Sequence, residues 1–142
     1  MTMDSPQKAA IAQAWARAWD DGDVDALDDL LAPGFTRRTQ GSKTSLSADE
    51  LKKEIRATRE AFPDLVTTID EIVLDGDRVA IFWTSTGTHQ AELLGIPATR
   101  RKVVTYGSNL CTLSDGKLTD ERVTWDPRHL LTALGISTVR HD

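Results

Sequence analysis

A single cysteine, Cys111, in a chain of 142 residues excludes an internal disulfide and any multi-cysteine metal site. Charge of neither sign accumulates: 17 basic and 22 acidic side chains are spread without a long like-charge run, for a net charge of −5. A polyanion such as nucleic acid or an anionic membrane surface is therefore not an expected partner. No apolar run reaches the roughly 20 residues that span a bilayer, and the first residues show no basic and then apolar signal region. The expectation is a soluble protein of a reducing, cytoplasmic compartment. Three scattered histidines and one cysteine give no recognisable metal-ligand spacing. The Gly-x-Gly-x-x-Gly, P-loop and Gly-x-Ser-x-Gly fingerprints are all missing.

What is present suits one folded domain over residues 1–142, since 39% apolar and 27% charged residues are ordinary for a globular chain. Ser5 before Pro6 is a helix start, and Ile11, Trp15 and Trp19 recur every four residues beside Ala14 and Ala18 until Gly22. Asp23 caps a second, short helix carrying Leu27, Leu30 and Leu31, which Pro33-Gly34 ends. A short strand is expected over 35–39. Ser47 with Glu50 is a capping box that opens a third helix, with Leu51, Ile55 and Phe62, stopping at Pro63. Beyond it, β-branched residues over 65–74, an Asp75-Gly76-Asp77 turn and a run over 78–88 predict a hairpin. After a connection over 91–101, a strand over 102–113 turns back through Ser114-Asp115-Gly116 into a last strand. Asp126-Pro127 then introduces a closing helix with Leu130, Leu131 and Leu134, and the tail, about 136–142, is expected to be mobile. Helices first and strands after them indicate an α+β fold, an antiparallel sheet covered on one face by the N-terminal helices around a pocket.

Five motifs occur in one order: Phe62-Pro63-Asp64-Leu65, Gly76-Asp77-Arg78-Val79-Ala80, Gly87-Thr88-His89, Leu94-Gly95-Ile96-Pro97-Ala98-Thr99 and Asp115-Gly116-Lys117. Together they resemble the SnoaL-like polyketide cyclases of the NTF2-like superfamily over nearly the whole chain. The resemblance implies a conical α+β barrel with an apolar pocket, acting without metal or organic cofactor on a small apolar, carbonyl-bearing metabolite, and a homodimer or higher homo-oligomer. It also implies intramolecular aldol ring closure with a final carboxylate, here Asp126, as acid/base. Two departures stand out. Asp120 and Arg122 replace the family's Glu and Trp in the last strand, and Phe35-Thr36-Arg37-Arg38-Thr39 lacks a histidine found early in many members.

Asp126 reads two ways, as a catalytic carboxylate or as the N-cap that Pro127 predicts, and the roles move its pKa oppositely. His89 has a ring suited to proton transfer or carbonyl polarisation, and also a bland role as a strand-end hydrogen-bonding group. His129 and His141 have less claim, one inside the closing helix and one in the tail. Strict alternation puts Leu118, Asp120, Arg122, Thr124 and Asp126 on one face, so Arg122 is expected beside Asp126. Asn109 is the polar candidate of its strand, because Tyr106 falls on the other face. Of the neighbours Arg37 and Arg38 one can reach the cavity, and Arg38 is taken as the substrate-binding candidate. Trp15, Trp19 and Trp83 are core aromatics that can also line the pocket. Acid/base cyclisation is the leading reading. Epoxide hydrolysis, with Arg122 between Asp120 and Asp126, isomerisation and non-catalytic ligand binding are its alternatives.

Overall fold

The computed structural model describes residues 5–136, so His141 and all but the first residue of the expected tail lie outside the described residues. Helix α1, Pro6–Trp19, starts where Ser5 Oγ accepts the Lys8 backbone N–H at 3.1 Å, and it buries Ile11, Trp15 and Ala18. The expected second helix shrinks to a 3₁₀ turn, Val24–Leu27. Leu31 already belongs to strand β1, Leu31–Thr39, where it pairs with Leu118, and Pro33-Gly34 forms an irregularity inside that strand instead of a helix stop. A two-residue strand β2, Leu46–Ser47, leads into helix α2, Ala48–Ala61. Both halves of the predicted capping box form, Glu50 N–H to Ser47 Oγ at 3.2 Å and Ser47 N–H to Glu50 Oε1 at 3.0 Å.

Four long strands follow, β3 Val66–Asp75, β4 Arg78–Thr88, β5 Lys102–Ser114 and β6 Lys117–Trp125, and then the short helix α3, Pro127–Ala133. Asp115 and Gly116 both take positive φ between β5 and β6, as a tight hairpin of this twist requires. The six strands form one curved sheet in the order β2-β1-β6-β5-β4-β3, whose two ends do not pair, so the cone stays open. The sheet is mixed, which corrects the antiparallel expectation: β1 runs parallel to β6. No tight turn joins those two strands, so nothing in the connection imposes the antiparallel sense.

Helices α1 and α2 press Ile11, Trp15, Leu51 and Ile55 onto Ile72, Val79, Ile81, Cys111 and Leu118 of the inner sheet face, the main core. A smaller cluster of Ala61, Phe62, Leu65, Val103, Leu130 and Leu134 forms under α3. Trp19 packs against both clusters, and the cavity opens between them. No helix of the described residues is long and apolar enough to cross a membrane.

Candidate active site

Three cross-strand rows on the inner face build the cavity floor. Trp83, Gly107 and Trp125 stand opposite one another across β4, β5 and β6. The next row holds Asn109, Val123 and Thr39, and the one after it Cys111, Glu121 and Arg37. Above the floor, α1 contributes Trp15 and Trp19, and α2 contributes Glu54 and Thr58 one helical turn apart. The space enclosed is about 420 Å³, the size of a small-molecule site.

Two of the polar arrangements within it involve the floor rows. The Trp83 indole N–H donates to Asn109 Oδ1 at 3.0 Å. Indole nitrogen can only donate, so this bond sets the amide orientation and leaves the Asn109 NH₂ as the free, donating end. Gly107 makes the bond possible, because a Cβ there would run into the Trp83 ring and lie 2.8 Å from the Thr124 carbonyl oxygen. In the second arrangement Arg37 Nη1 meets Glu121 Oε1 at 2.5 Å, with the Glu121 side chain fully buried and that of Arg37 only 12% exposed. Glu121 Oε2 accepts the Cys111 S–H at 3.4 Å. Burial, and then the Glu121 charge, push the Cys111 thiol far above the ordinary thiol range, so it stays a donor. The Arg37 guanidinium also lies 5.8 Å over the Trp19 ring, a cation–π contact. Arg37 lines the cavity while Glu121 neutralises it from beneath, so both fixed groups offer donors inward.

Trp15, Trp19, Trp83 and Asn109 therefore come together on one cavity. Tyr106, 57% exposed against 2% for Asn109, takes the outer face as the alternation predicts. Arg38 and Arg122 do not join them: they face each other in register on the outer side of β1 and β6, where both are exposed. The expected inward placement of Arg122 fails because the β5–β6 register slips between Thr112 and Leu113, so that Leu118 pairs with Leu113 and Asp120 with Thr112. One extra residue resets the pleat, and Glu121 and Val123 become the buried residues in place of Asp120 and Arg122. No ion pair joins Arg122 to Asp126 among the described residues.

Asp126 is not among the cavity-lining residues. Its Oδ1 accepts the Arg128 backbone N–H at 3.0 Å as N-cap of α3, and the side chain is 56% exposed. The Arg128 N–H, then the Arg128 side chain, hold the Asp126 carboxyl below the usual carboxylate range. Asp126→Asn, which caps equally well, is expected to leave the thermal midpoint within about 1–2 °C of wild type and turnover within about threefold. A melting curve and a rate measurement on the variant check this.

His89 is fully buried and also absent from the cavity wall. Its Nδ1 accepts the Thr99 backbone N–H at 3.1 Å, with the Thr99 hydroxyl at 3.0 Å. The proton is thereby placed on Nε2, a buried atom with no hydrogen-bond partner among the described residues. The His89 main chain accepts from Arg100 N–H at 2.8 Å and donates to Arg101 O at 3.0 Å, so the residue clasps both ends of the β4–β5 connection. Within that connection Leu93 pairs with Ile96, Leu94 and Gly95 take positive φ, and Leu93 and Leu94 reach the cavity mouth.

Sequence reasoning passed over Glu121, Glu54 and Trp125. The first was hidden by the register slip. Glu54 carried a readable signal, its spacing to Thr58 alongside the Leu51–Ile55 stripe, which places both at the edge of the buried helix face. Among the described residues no three His, Cys, Asp or Glu side chains group as metal ligands.

The family model for SnoaL-like polyketide cyclases matches residues 9–134. No curated protein matches the chain. Among solved structures, IdmH of Streptomyces antibioticus, an inferred polyketide cyclase, is 26% identical, with a TM-score of 0.79 over 92% of this chain and 99% of that one. AclR of Streptomyces galilaeus, an inferred hydroxylase, is likewise 26% identical, with a TM-score of 0.81 over 93% and 97% of the two chains. A protein of ketosteroid isomerase-like fold from Catenulispora acidiphila shares the architecture at 18% identity, TM-score 0.72, over 89% of this chain and 93% of that one. With a family match running from within α1 through α2 and the whole sheet to the end of α3, this chain belongs to the SnoaL-like polyketide cyclase family.

Proposed function

We propose that the protein closes a ring in a small, apolar, polyketide-like metabolite by intramolecular aldol addition, without metal or organic cofactor. The observation that carries this reading is a pair of fixed donors at the cavity floor, set among aromatic and aliphatic side chains and Ser and Thr hydroxyls: the Asn109 amide fixed by Trp83 and the Arg37 guanidinium fixed by Glu121. Such donors stabilise the oxygen of an enolate, the charge that develops when a proton leaves the carbon next to a carbonyl. The enolate carbon then bonds to a second carbonyl carbon, and that carbonyl's oxygen takes up a proton. Glu54, the one carboxylate among the described residues that line the cavity, serves as the proton carrier at the mouth.

The alternative of epoxide hydrolysis rested on Arg122 between two carboxylates, and Arg122 and Asp120 lie on the outer face, so no observation favours it. The protein acts in the cytoplasm as a homodimer. Exposed Val66, Phe82, Val104 and Tyr106 on the outer face of β3, β4 and β5 supply an apolar surface for that association. Assay of Glu54→Gln with a cyclisable poly-β-ketone tests the chemistry. Turnover is expected to fall about 100-fold with the fold intact. Wild-type turnover in that variant removes Glu54 from the mechanism, and ligand binding without turnover in the unaltered protein leaves only a binding role.

A further inference from the structure

The outer sheet face carries a second recess, separate from the cavity and on the opposite side of the strands. It measures about 450 Å³ and is bordered by Arg38, Lys43, Arg78 and Arg122, with Asp120 the single free carboxylate among the described residues that line it. The carboxylate of Glu121 points through to the inner face and is committed to Arg37. None of the four cations makes an ion pair among the described residues. This concentration is out of keeping with a chain whose net charge is −5.

The register makes the arrangement costly on its own. Arg38 stands directly opposite Arg122 on the paired strands β1 and β6, and like charges so placed repel. Arg78 leads the next row, across Thr112 from Asp120. Lys43 reaches the recess from the turn between β1 and β2. The hydroxyls of Thr36, Ser45 and Thr112 add neutral hydrogen-bonding groups to the same walls.

We infer that this recess is a binding site for a small molecule bearing a diphosphate group. The charge matches: four cations against Asp120 leave three positive charges, and each phosphate carries about 1.5 to 2 negative charges near neutrality. Arginine guanidinium groups suit phosphate oxygens through paired N–H donors, and three of the four cations are arginines. The volume suits a small molecule rather than a macromolecular surface.

The test is calorimetric titration of the full chain with inorganic pyrophosphate at constant ionic strength, with orthophosphate and chloride as comparisons. Pyrophosphate is expected to bind at least tenfold more tightly than orthophosphate and to raise the melting temperature. Arg38→Gln and Arg122→Gln are each expected to weaken it fivefold or more, while Arg56→Gln on the exposed face of α2 leaves it unchanged. Both groove variants are expected to melt at or above the wild-type temperature without ligand, because they relieve the Arg38–Arg122 repulsion. Pyrophosphate affinity no better than that of chloride, or affinity indifferent to both groove substitutions, overturns the site. So does a ligand-independent dimer that Arg122→Gln dissociates, since the recess would then receive a second copy of the chain.

Discussion

Glu121→Gln is expected to destabilise the protein by about 3–5 kcal/mol, because it leaves the Arg37 guanidinium buried without a counter-charge. For a chain of this length that corresponds to a fall of roughly 10–15 °C in melting temperature. The size of the effect follows from burial, with the Glu121 side chain fully enclosed and Arg37 nearly so, where water cannot substitute for the missing carboxylate. The same substitution at an exposed pair, such as Arg17 with Asp23, would change stability by less than about 1 kcal/mol. A double-mutant cycle separates the cost of an orphaned charge from the worth of the pair. Arg37→Met combined with Glu121→Leu is expected to recover most of the stability that either change alone loses, since apolar groups of similar size satisfy the site. Turnover is not expected to return in the double variant, because no cationic donor then faces the substrate. Denaturant and thermal melts of the four proteins, with rates on a cyclisable substrate, provide the measurement. A Glu121→Gln protein melting within about 2 °C of wild type would show that the pair is already solvated.

Asn109→Asp is expected to lower kcat by about 100- to 1,000-fold with a much smaller change in KM. The side chain keeps its shape and still accepts the Trp83 N–H, so the hydrogen bond at 3.0 Å survives. What changes is the other end, where two N–H donors become a carboxylate oxygen turned toward the developing enolate. Trp83→Phe gives the complementary case: the ring still covers Gly107, but the amide loses the donor that fixes its orientation. A loss of roughly tenfold is expected there, since the amide then spends part of its time with the oxygen inward. Comparable rates for Asn109→Asp and wild type would remove the amide donors from the reaction.

The features readable in the sequence are those decided by neighbours along the chain. The Ser47–Glu50 capping box, the Asp75-Gly76-Asp77 and Asp115-Gly116 turns, the Ser5-Pro6 start and the opposite facing of Tyr106 and Asn109 all depend on contacts within a few residues. Asp126-Pro127 was equally readable as a cap, and its local signal describes the observed side-chain role. The rest depends on partners distant in sequence. Leu31 has the spacing of a helix residue, yet pairing with Leu118, 87 positions along by number, draws it into the sheet. The slip opposite Thr112 is invisible in β6 itself, and it exchanges Arg122 for Glu121 at the buried face. His89 could be marked as a residue of interest, but its clasp needs Thr99 across a connection whose shape no local pattern specifies.

That clasp bears on how such a protein diversifies. With Arg100 and Arg101 hydrogen-bonded back to His89, the excursion between them begins and ends at one point on the sheet. Its length and composition can be exchanged without stretching or shifting β4 and β5, much as a hairpin tolerates a longer turn. Because Leu93 and Leu94 of this excursion border the cavity, each exchange is expected to reset its width there while the floor stays in place. For the proposed reaction, substrate range and chemistry would thus rest on separate pieces of chain, and a graft between His89 and Arg100 is the natural place to move one without the other.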